Sequence, residues 1–340
     1  MAFEAIQGQE ETARRLRATL RSGRFPHAWL FVGAPGIGRL AMARELAQVL
    51  LCDASEQPDD YCGTCAGCRA LAEGNHADYM EVGIPEGKQK FRIDDVRDIQ
   101  DRAALRPRQA TRRVFVILDA DRMSDPAANC FLKTLEEPPG DAVFILIAAS
   151  LRDIRETTIS RCRCLRFPNL PPETLQRQLE ADGMDAVQAR WLALRTWGNP
   201  GLARACREAE MPAVNAELVA QLDGISLTDN FRLADWFEAL ASESARSASQ
   251  TRVRLQEFLE AVAVYYRDLA VAATCADEPL FNDAARELIR ERSAGRGPDE
   301  FIECAGLVMD AMDHVAANAQ RSLALYNLFT QIALRAGAAP

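Results

Sequence analysis

Four of the ten cysteines lie within 17 residues, in the pattern C-x9-C-x2-C-x2-C: Cys52, Cys62, Cys65 and Cys68. Four thiolates so close in sequence suit a tetrahedral Zn²⁺ ion, which binds sulfur at about 2.3 Å. Gly63 and Gly67 lie between them and are expected to supply tight turns. Because the cysteines fill every position on the ion, we expect a structural zinc module at 52–68. An iron–sulfur cluster or four unrelated free thiols are the alternatives.

The other six cysteines show no ligand spacing: Cys130, Cys162, Cys164, Cys206, Cys275 and Cys304. We expect them to be small buried residues with reduced thiols. Met1–Arg24 is charged and amphipathic and lacks the features of an export signal, which favours a cytoplasmic protein. No apolar run reaches the roughly 18 residues of a membrane-spanning helix, so no membrane partner is expected.

A glycine-rich stretch lies between a short apolar segment and an amphipathic one: Gly33-Ala34-Pro35-Gly36-Ile37-Gly38-Arg39-Leu40. This setting is typical of the phosphate-binding loop G-x-x-x-x-G-K-[ST], whose glycines let backbone N–H groups surround phosphates at a helix N-terminus. Arg39, however, stands where lysine should reach the phosphates, and Leu40 where a hydroxyl should bind Mg²⁺. We therefore expect a degenerate loop without hydrolysis, with residual ATP or ADP binding left open. A plain glycine turn is the alternative.

A second feature of nucleotide-binding domains is the apolar segment Val114–Leu118, which is followed by Asp119 and Asp121. In hydrolysing domains such a strand normally ends in two adjacent acids, one for Mg²⁺ and one to activate water. Here Ala120 separates the two acids, so this motif is degraded as well. ATP hydrolysis by this chain is therefore not expected.

Arg161 is the candidate for chemistry at another protein's site. It lies in the tripeptide Ser160-Arg161-Cys162, after the third predicted strand. An ordinary solvated arginine is the alternative interpretation. In oligomeric ATPases an arginine can stabilise transition-state charge in a neighbour's site. A chain that keeps a nucleotide-fold layout while losing its own hydrolysis could retain that role, so Arg161 is a candidate for it beside the ordinary interpretation.

The composition bounds the class of protein. The chain has 340 residues, 48% of them hydrophobic, and a net charge of −9. This excludes a disordered or collagen-like chain, and it argues against bulk coating of DNA, which needs clustered Lys and Arg. One local basic cluster is either a solvated helix end and loop or a DNA-facing surface: Arg102, Arg106, Arg108, Arg112 and Arg113.

Apolar runs alternate with helical patterns in the first half of the chain. The predicted strands are Ala28–Val32, Val114–Leu118 and Val143–Ala149, and the predicted helices are Arg39–Leu51, Asp94–Leu105 and a segment beginning at Ser124. Such alternation predicts an α/β domain with a parallel sheet covered by helices, over 1–167. Prolines then break the chain, and only helical periods follow. We expect a small helical unit at 168–208 and a larger helical domain at 209–340.

Several segments of the first 167 residues form an ordered set: His27–Phe31 leading into the glycine loop, the four cysteines, Asn129 with Leu132–Pro139, and Ser160–Cys162. This set resembles the delta-prime family of bacterial DNA polymerase III clamp-loader subunits, within the AAA+ superfamily. The resemblance implies an AAA+ P-loop domain with a zinc module, a small helical lid and an all-α collar that holds the subunits in a pentameric ring.

The same resemblance implies a function and partners. The chain would be a component of the DNA polymerase III holoenzyme, with the delta and gamma/tau subunits as neighbours. The ring would open the β sliding clamp and load it on primed DNA. The chain itself would be a non-hydrolysing stator, and Arg161 would be its arginine finger toward a gamma/tau site.

Departures from the ATPase members of this family point in the same direction. Gamma/tau keeps Lys and Thr where this chain has Arg39 and Leu40. Gly201 stands where those members carry a lid arginine, and Ala148–Ser150 lacks a polar sensor of the γ-phosphate. An active gamma/tau-type AAA+ ATPase remains the alternative. A zinc-dependent nucleic-acid-binding module is a third hypothesis, which the net charge and the 7% aromatic content disfavour.

Overall fold

The computed structural model describes residues 2–4, 6–55, 57–85, 88–223, 225, 227–228, 230–243, 247–274, 279–317 and 320–336. The chain forms two compact units. One comprises Met1–Pro171 together with Asn199–Leu202, and the other comprises Pro172–Gly198 and Ala203–Pro340. The division of the helical part into domains at 168–208 and 209–340 stays a prediction.

The first unit is an α/β fold built on a five-stranded parallel sheet, in the order β2-β3-β4-β1-β5. Its elements are α1 Glu10–Arg21, β1 Ala28–Val32, α2 Arg39–Leu51, α3 Ala66–Ala72, β2 Tyr79–Val82, α4 Ile93–Ala103, β3 Arg113–Ile117, α5 Asp125–Glu136, β4 Ala142–Ala148, α6 Glu156–Ile159 and β5 Arg163–Arg166. The predicted parallel sheet with covering helices is confirmed. The two strands at the sheet edges, β2 and β5, were not predicted.

Both faces of the sheet are buried, because successive side chains of a strand point to opposite faces. Trp29 and Phe31 of β1 pack on one face with residues of α1 and α2. Leu30 packs on the other face with residues of α4 and α5, among them Phe131. This two-sided burial explains why the three central strands are continuous apolar runs, apart from Arg113 at the start of β3.

The carboxyl ends of the central strands carry the segments singled out in the sequence. Gly33–Gly38 follows β1, Asp119–Asp121 follows β3, and Ala149 follows β4. Because the strands are parallel and adjacent, these three segments meet at the carboxyl end of the sheet. Ligands of open α/β sheets bind at this end.

The side chain of Asp78 binds the backbone of the loop that leads into β3. Its buried carboxylate accepts hydrogen bonds from the backbone N–H groups of Arg108, Gln109 and Ala110, at 2.7 to 3.0 Å, and lies 3.3 Å from the Arg113 guanidinium. Burial alone would raise the pKa of this carboxyl. The three N–H groups and Arg113 nevertheless hold the pKa below its ordinary value. Arg113 is itself buried, so the basic cluster predicted from the sequence is not a single surface.

Asp78→Asn is expected to destabilise the protein by about 3 kcal/mol at neutral pH, since it leaves Arg113 buried beside a neutral partner. A carboxyl whose folded pKa is lowered stabilises the protein above its unfolded pKa of roughly 3.9. That stabilisation is lost as the pH falls through the folded pKa. Urea unfolding should therefore show a gap between wild type and variant that narrows toward acid pH. The exposed Asp98→Asn is the control, and a gap that does not change with pH would contradict this role.

The second unit is helical throughout its described residues. Its helices are α7 Pro172–Ala181, α8 Ala186–Arg195, α9 Pro200–Glu208, α10 Met211–Leu222, α11 Asn230–Glu243, α12 Ala248–Thr274, α13 Arg286–Ser293, α14 Pro298–Ala316 and α15 Arg321–Ala336, with the first residues of α9 grouped with the other unit. Phe237 of α11 contacts Phe258 of α12 and Phe329 of α15 in its core. No helix among the described residues is long and apolar enough to cross a bilayer.

Candidate functional site

The four clustered cysteines converge in space. Their sulfur atoms all lie within 4.8 Å of one another. The Cys52 and Cys62 sulfurs are 3.7 Å apart, and those of Cys62 and Cys68 are 4.0 Å apart. Four sulfurs at about 2.3 Å from a central Zn²⁺ are about 3.8 Å from each other in a tetrahedron. The arrangement therefore fits a zinc ion with four thiolate ligands.

Backbone N–H groups surround these sulfurs. The N–H of Cys62 donates to the Cys52 sulfur, and the N–H of Cys65 donates to the Cys62 sulfur, at 3.4 and 3.3 Å. Backbone N–H groups of Thr64 and Cys65 lower the pKa of Cys62 to about 6, whereas burial raises the pKa of Cys68 to about 12. The N–H groups favour thiolate at Cys62, and a bound cation would supply the charge that the buried Cys68 thiolate needs.

The two glycines of the module have different roles. Gly63 has a φ of +71°, as expected for a tight turn. Gly67 does not make a turn, and that prediction was wrong. It lies within α3, where a Cβ would come within 2.9 Å of the Leu51 carbonyl oxygen. Gly67 is therefore needed for close packing of α3 against the end of α2.

The remaining cysteines stay apart from this cluster in the described part of the chain. Cys304 is buried, and the other four described residues are half-buried, namely Cys130, Cys162, Cys164 and Cys206. Burial raises the pKa of Cys162 to about 12 and that of Cys304 to about 11. These values keep both thiols protonated and unreactive at neutral pH. Cys275 lies outside the described residues.

The glycine loop lies between β1 and α2, as predicted. Gly36 and Gly38 have φ values of +82° and +99°, a backbone region that other residues rarely adopt. Gly38 is the N-cap of α2, so the backbone N–H groups of the first turn of the helix lie next to the loop. The backbone has the form of a phosphate-binding loop, but the side chains that follow do not suit the chemistry.

Arg39 and Leu40 face surroundings that differ from a catalytic loop. Burial lowers the pKa of the Arg39 guanidinium, and the carboxylates of Asp121 and Asp119 act in the opposite direction. Leu40 is partly buried and packs against the hydrophobic core under the sheet. Asp121 accepts a hydrogen bond from the Ala149 N–H at 3.0 Å. The acid is thereby engaged in joining the ends of β3 and β4.

A segment distant in sequence holds the loop from outside. The Asn199 side chain donates to the Pro35 carbonyl oxygen at 2.8 Å. Its own oxygen accepts from the N–H groups of Gly201 and Leu202, at 3.0 and 3.1 Å. The Gly201 backbone lies against Gly36, and a Cβ at position 201 would come within 2.4 Å of the Gly36 Cα. An arginine at position 201 cannot be accommodated in this arrangement. The sequence had not indicated the role of Asn199.

Arg161 lies just beyond α6 and bonds within its own chain. Its Nε donates to Glu136 Oε1 at 2.5 Å, and its Nη1 donates to the Thr157 carbonyl oxygen at 2.9 Å and to Ser160 Oγ at 3.2 Å. About a third of the side chain is exposed, 32%. None of these partners belongs to the phosphate loop. Glu136 was not singled out in the sequence, because nothing local to it indicates a partner 25 residues away.

The sheet order, the glycine loop and the cysteine cluster define a P-loop-type α/β domain in which four cysteines after the second helix could hold a metal ion. A family model described as DNA polymerase III, delta subunit, matches residues 8–171. The delta' subunit of DNA polymerase III from Escherichia coli is 33% identical over 236 residues, which cover 67% of this chain and 67% of that one. The chain therefore belongs to the family of DNA polymerase III subunits that includes delta', gamma and tau.

Other relatives match a smaller part of their own length. The tau subunit from Bacillus subtilis is 32% identical over 173 residues, covering 51% of this chain and 30% of that protein. The chain thus spans less than a third of the tau subunits that it matches. The crystal structure of a gamma-subunit-related protein from Thermotoga maritima aligns over 96% of this chain and 99% of that one, with a TM-score of 0.44 and 16% identity.

Proposed function

We propose that the chain is a non-hydrolysing subunit of the DNA polymerase III clamp loader. In this role it is the stator of a pentameric ring, beside the delta and gamma/tau subunits. The ring opens the β sliding clamp and places it on primed DNA. The chain contributes Arg161 in trans to the active site of a neighbouring ATPase subunit. Structural zinc at the four cysteines stabilises its N-terminal unit.

The phosphate loop is the observation that carries this proposal. A hydrolysing loop needs a lysine on the phosphates and a hydroxyl on Mg²⁺. Here Arg39 lies near two carboxylates and Leu40 packs on the core. Gly201 lies so close to the loop that no side chain fits there, so position 201 contributes no cation to a nucleotide. The chemistry of hydrolysis is missing at three positions, while the supporting fold is retained.

Reconstitution with and without this chain tests the proposal. The isolated chain is expected to show no measurable ATP turnover. Adding it to the delta and gamma/tau subunits is expected to raise DNA-stimulated hydrolysis and clamp loading about tenfold or more, because it completes the ring. DNA-stimulated turnover by the isolated chain that disappears in Arg39→Ala would instead establish an active gamma/tau-type ATPase.

A further inference from the structure

Glu136 binds one face of the Arg161 guanidinium, meaning the side of the planar group that carries Nε and Nη2. Both Nε and Nη2 of Arg161 contact Glu136 Oε1. The Nη1 donors bond to the Thr157 carbonyl oxygen and to Ser160 Oγ. A guanidinium has five N–H donors, so four of them are used within the chain. The face that contacts Glu136 is the one best suited to two-point binding of a carboxylate or phosphate.

The environment of this pair indicates that its role is not stability. Side-chain exposure is 32% for Arg161 and 48% for Glu136, and exposed ion pairs stabilise a fold very little. Glu136 is also the last residue of α5, where the helix dipole disfavours a negative charge. A second exposed ion pair, between Asp125 and Arg155 at 2.7 Å, joins the other end of α5 to the start of α6.

We propose that Glu136 restrains Arg161 in the unassembled chain by occupying the guanidinium face that a neighbouring subunit's nucleotide phosphate would otherwise take. The contacts to Thr157 and Ser160 use the Nη1 donors. They can therefore hold the arginine in place when a phosphate replaces Glu136 at that face. Carboxylate and phosphate oxygens compete for the same two N–H groups. Glu136 is a positioning residue in this scheme, and the inference rests on the proposed function of Arg161.

The free chain offers a first test that needs no partner. Phenylglyoxal reacts with accessible guanidinium groups, and peptide mass spectrometry reports its addition at Arg161. Glu136→Gln keeps the shape of the side chain and removes its charge, so Arg161 should react about two- to fivefold faster. Glu136→Asp should react at nearly the wild-type rate. The matched control is Glu137→Gln, which removes the same charge from the neighbouring exposed residue. Equal Arg161 reactivity in wild type and Glu136→Gln would overturn the restraint.

The reconstituted complex gives the second test. With Glu136→Gln, the kcat for ATP at the site served by Arg161 should rise about two- to fivefold while KM stays unchanged, because the restraint is released before the transition state. The ratio of the kcat of Glu136→Gln to that of wild type should approach one as NaCl is raised from about 50 to about 300 mM, since salt screens an exposed ion pair. A ratio of one at low salt overturns the restraint and leaves the proposed function intact when Arg161→Ala is still slow. Normal rates in Arg161→Ala overturn both.

Discussion

Arg161→Ala is expected to slow ATP hydrolysis at the adjoining subunit's site by about 10³-fold, the effect of removing an arginine finger from phosphoryl transfer. In the proposed role the arginine stabilises charge that develops only in the transition state, so kcat should fall while KM changes little. The measurement is DNA-stimulated turnover in reconstituted complexes whose other sites carry an inactivated phosphate loop. Clamp loading should fall in parallel.

Two further variants make this result specific to Arg161. Arg155→Ala removes the other arginine that pairs α6 with α5, through Asp125, and should leave the rate nearly unchanged. Arg161→Lys keeps the charge but loses the planar two-point geometry, so an intermediate rate is expected. The free energy of unfolding of Arg161→Ala should stay within about 1 kcal/mol of that of wild type, because the ion pair that is lost is exposed. A wild-type rate in this variant would end its assignment as a finger.

Loss of the metal should have the largest effect on stability. Cys65→Ser removes one of the four candidate ligands, while the serine hydroxyl can still cap α3 in place of the Cys65 sulfur, which accepts from the Cys68 N–H at 3.3 Å. The binding free energy of a structural zinc ion is also folding free energy. We expect a loss of at least about 3 kcal/mol, which shifts the Tm of a unit of this size by roughly 6–12 °C. Metal analysis of wild type should find about one zinc per chain.

Cys130→Ser is the matched control for the metal ligands. Cys130 is half-buried in the same unit and its thiol donates to Gln100 Oε1 at 3.5 Å, a bond that serine can replace. Its metal content and Tm should match those of wild type. Treatment of wild type with a strong chelator should reproduce the shift seen in Cys65→Ser. Folded protein that lacks zinc and keeps the wild-type Tm would contradict the site.

The central strands could be predicted from the sequence, whereas the edge strands could not. β1, β3 and β4 are buried on both faces and are therefore continuous apolar runs, apart from Arg113 at the start of β3. β5 reads Arg-Cys-Leu-Arg with one buried residue, and the residues of β2 are all half-buried. Both are strands because a neighbouring strand presents free hydrogen-bonding groups to them. That information lies in the sheet and not in their own residues.

The candidate site likewise contains features that could be predicted from the sequence and contacts that could not. The spacing of the cysteines and the glycine loop were visible because the residues that act together are close in sequence. The bond between Asn199 and Pro35 joins residues 164 positions apart, and that between Arg161 and Glu136 joins residues 25 apart. Neither partner carries a local pattern that names the other. Only the folded chain brings these contacts together.

The order of the strands in the sheet has a consequence for synthesis on the ribosome. β1 emerges first, yet its two neighbours in the sheet are β4 and β5, the last strands to be made. At about 5–20 residues per second, roughly 7–27 s separate the translation of Val32 from that of Arg166. Until Ala148 is made, the apolar segment Ala28–Val32 has no strand on either side, and it lacks its second neighbour until Arg166 is made. We therefore expect the nascent chain to be prone to aggregation until its final strands are made, and its first unit to be complete only when Asn199–Leu202 has left the ribosome.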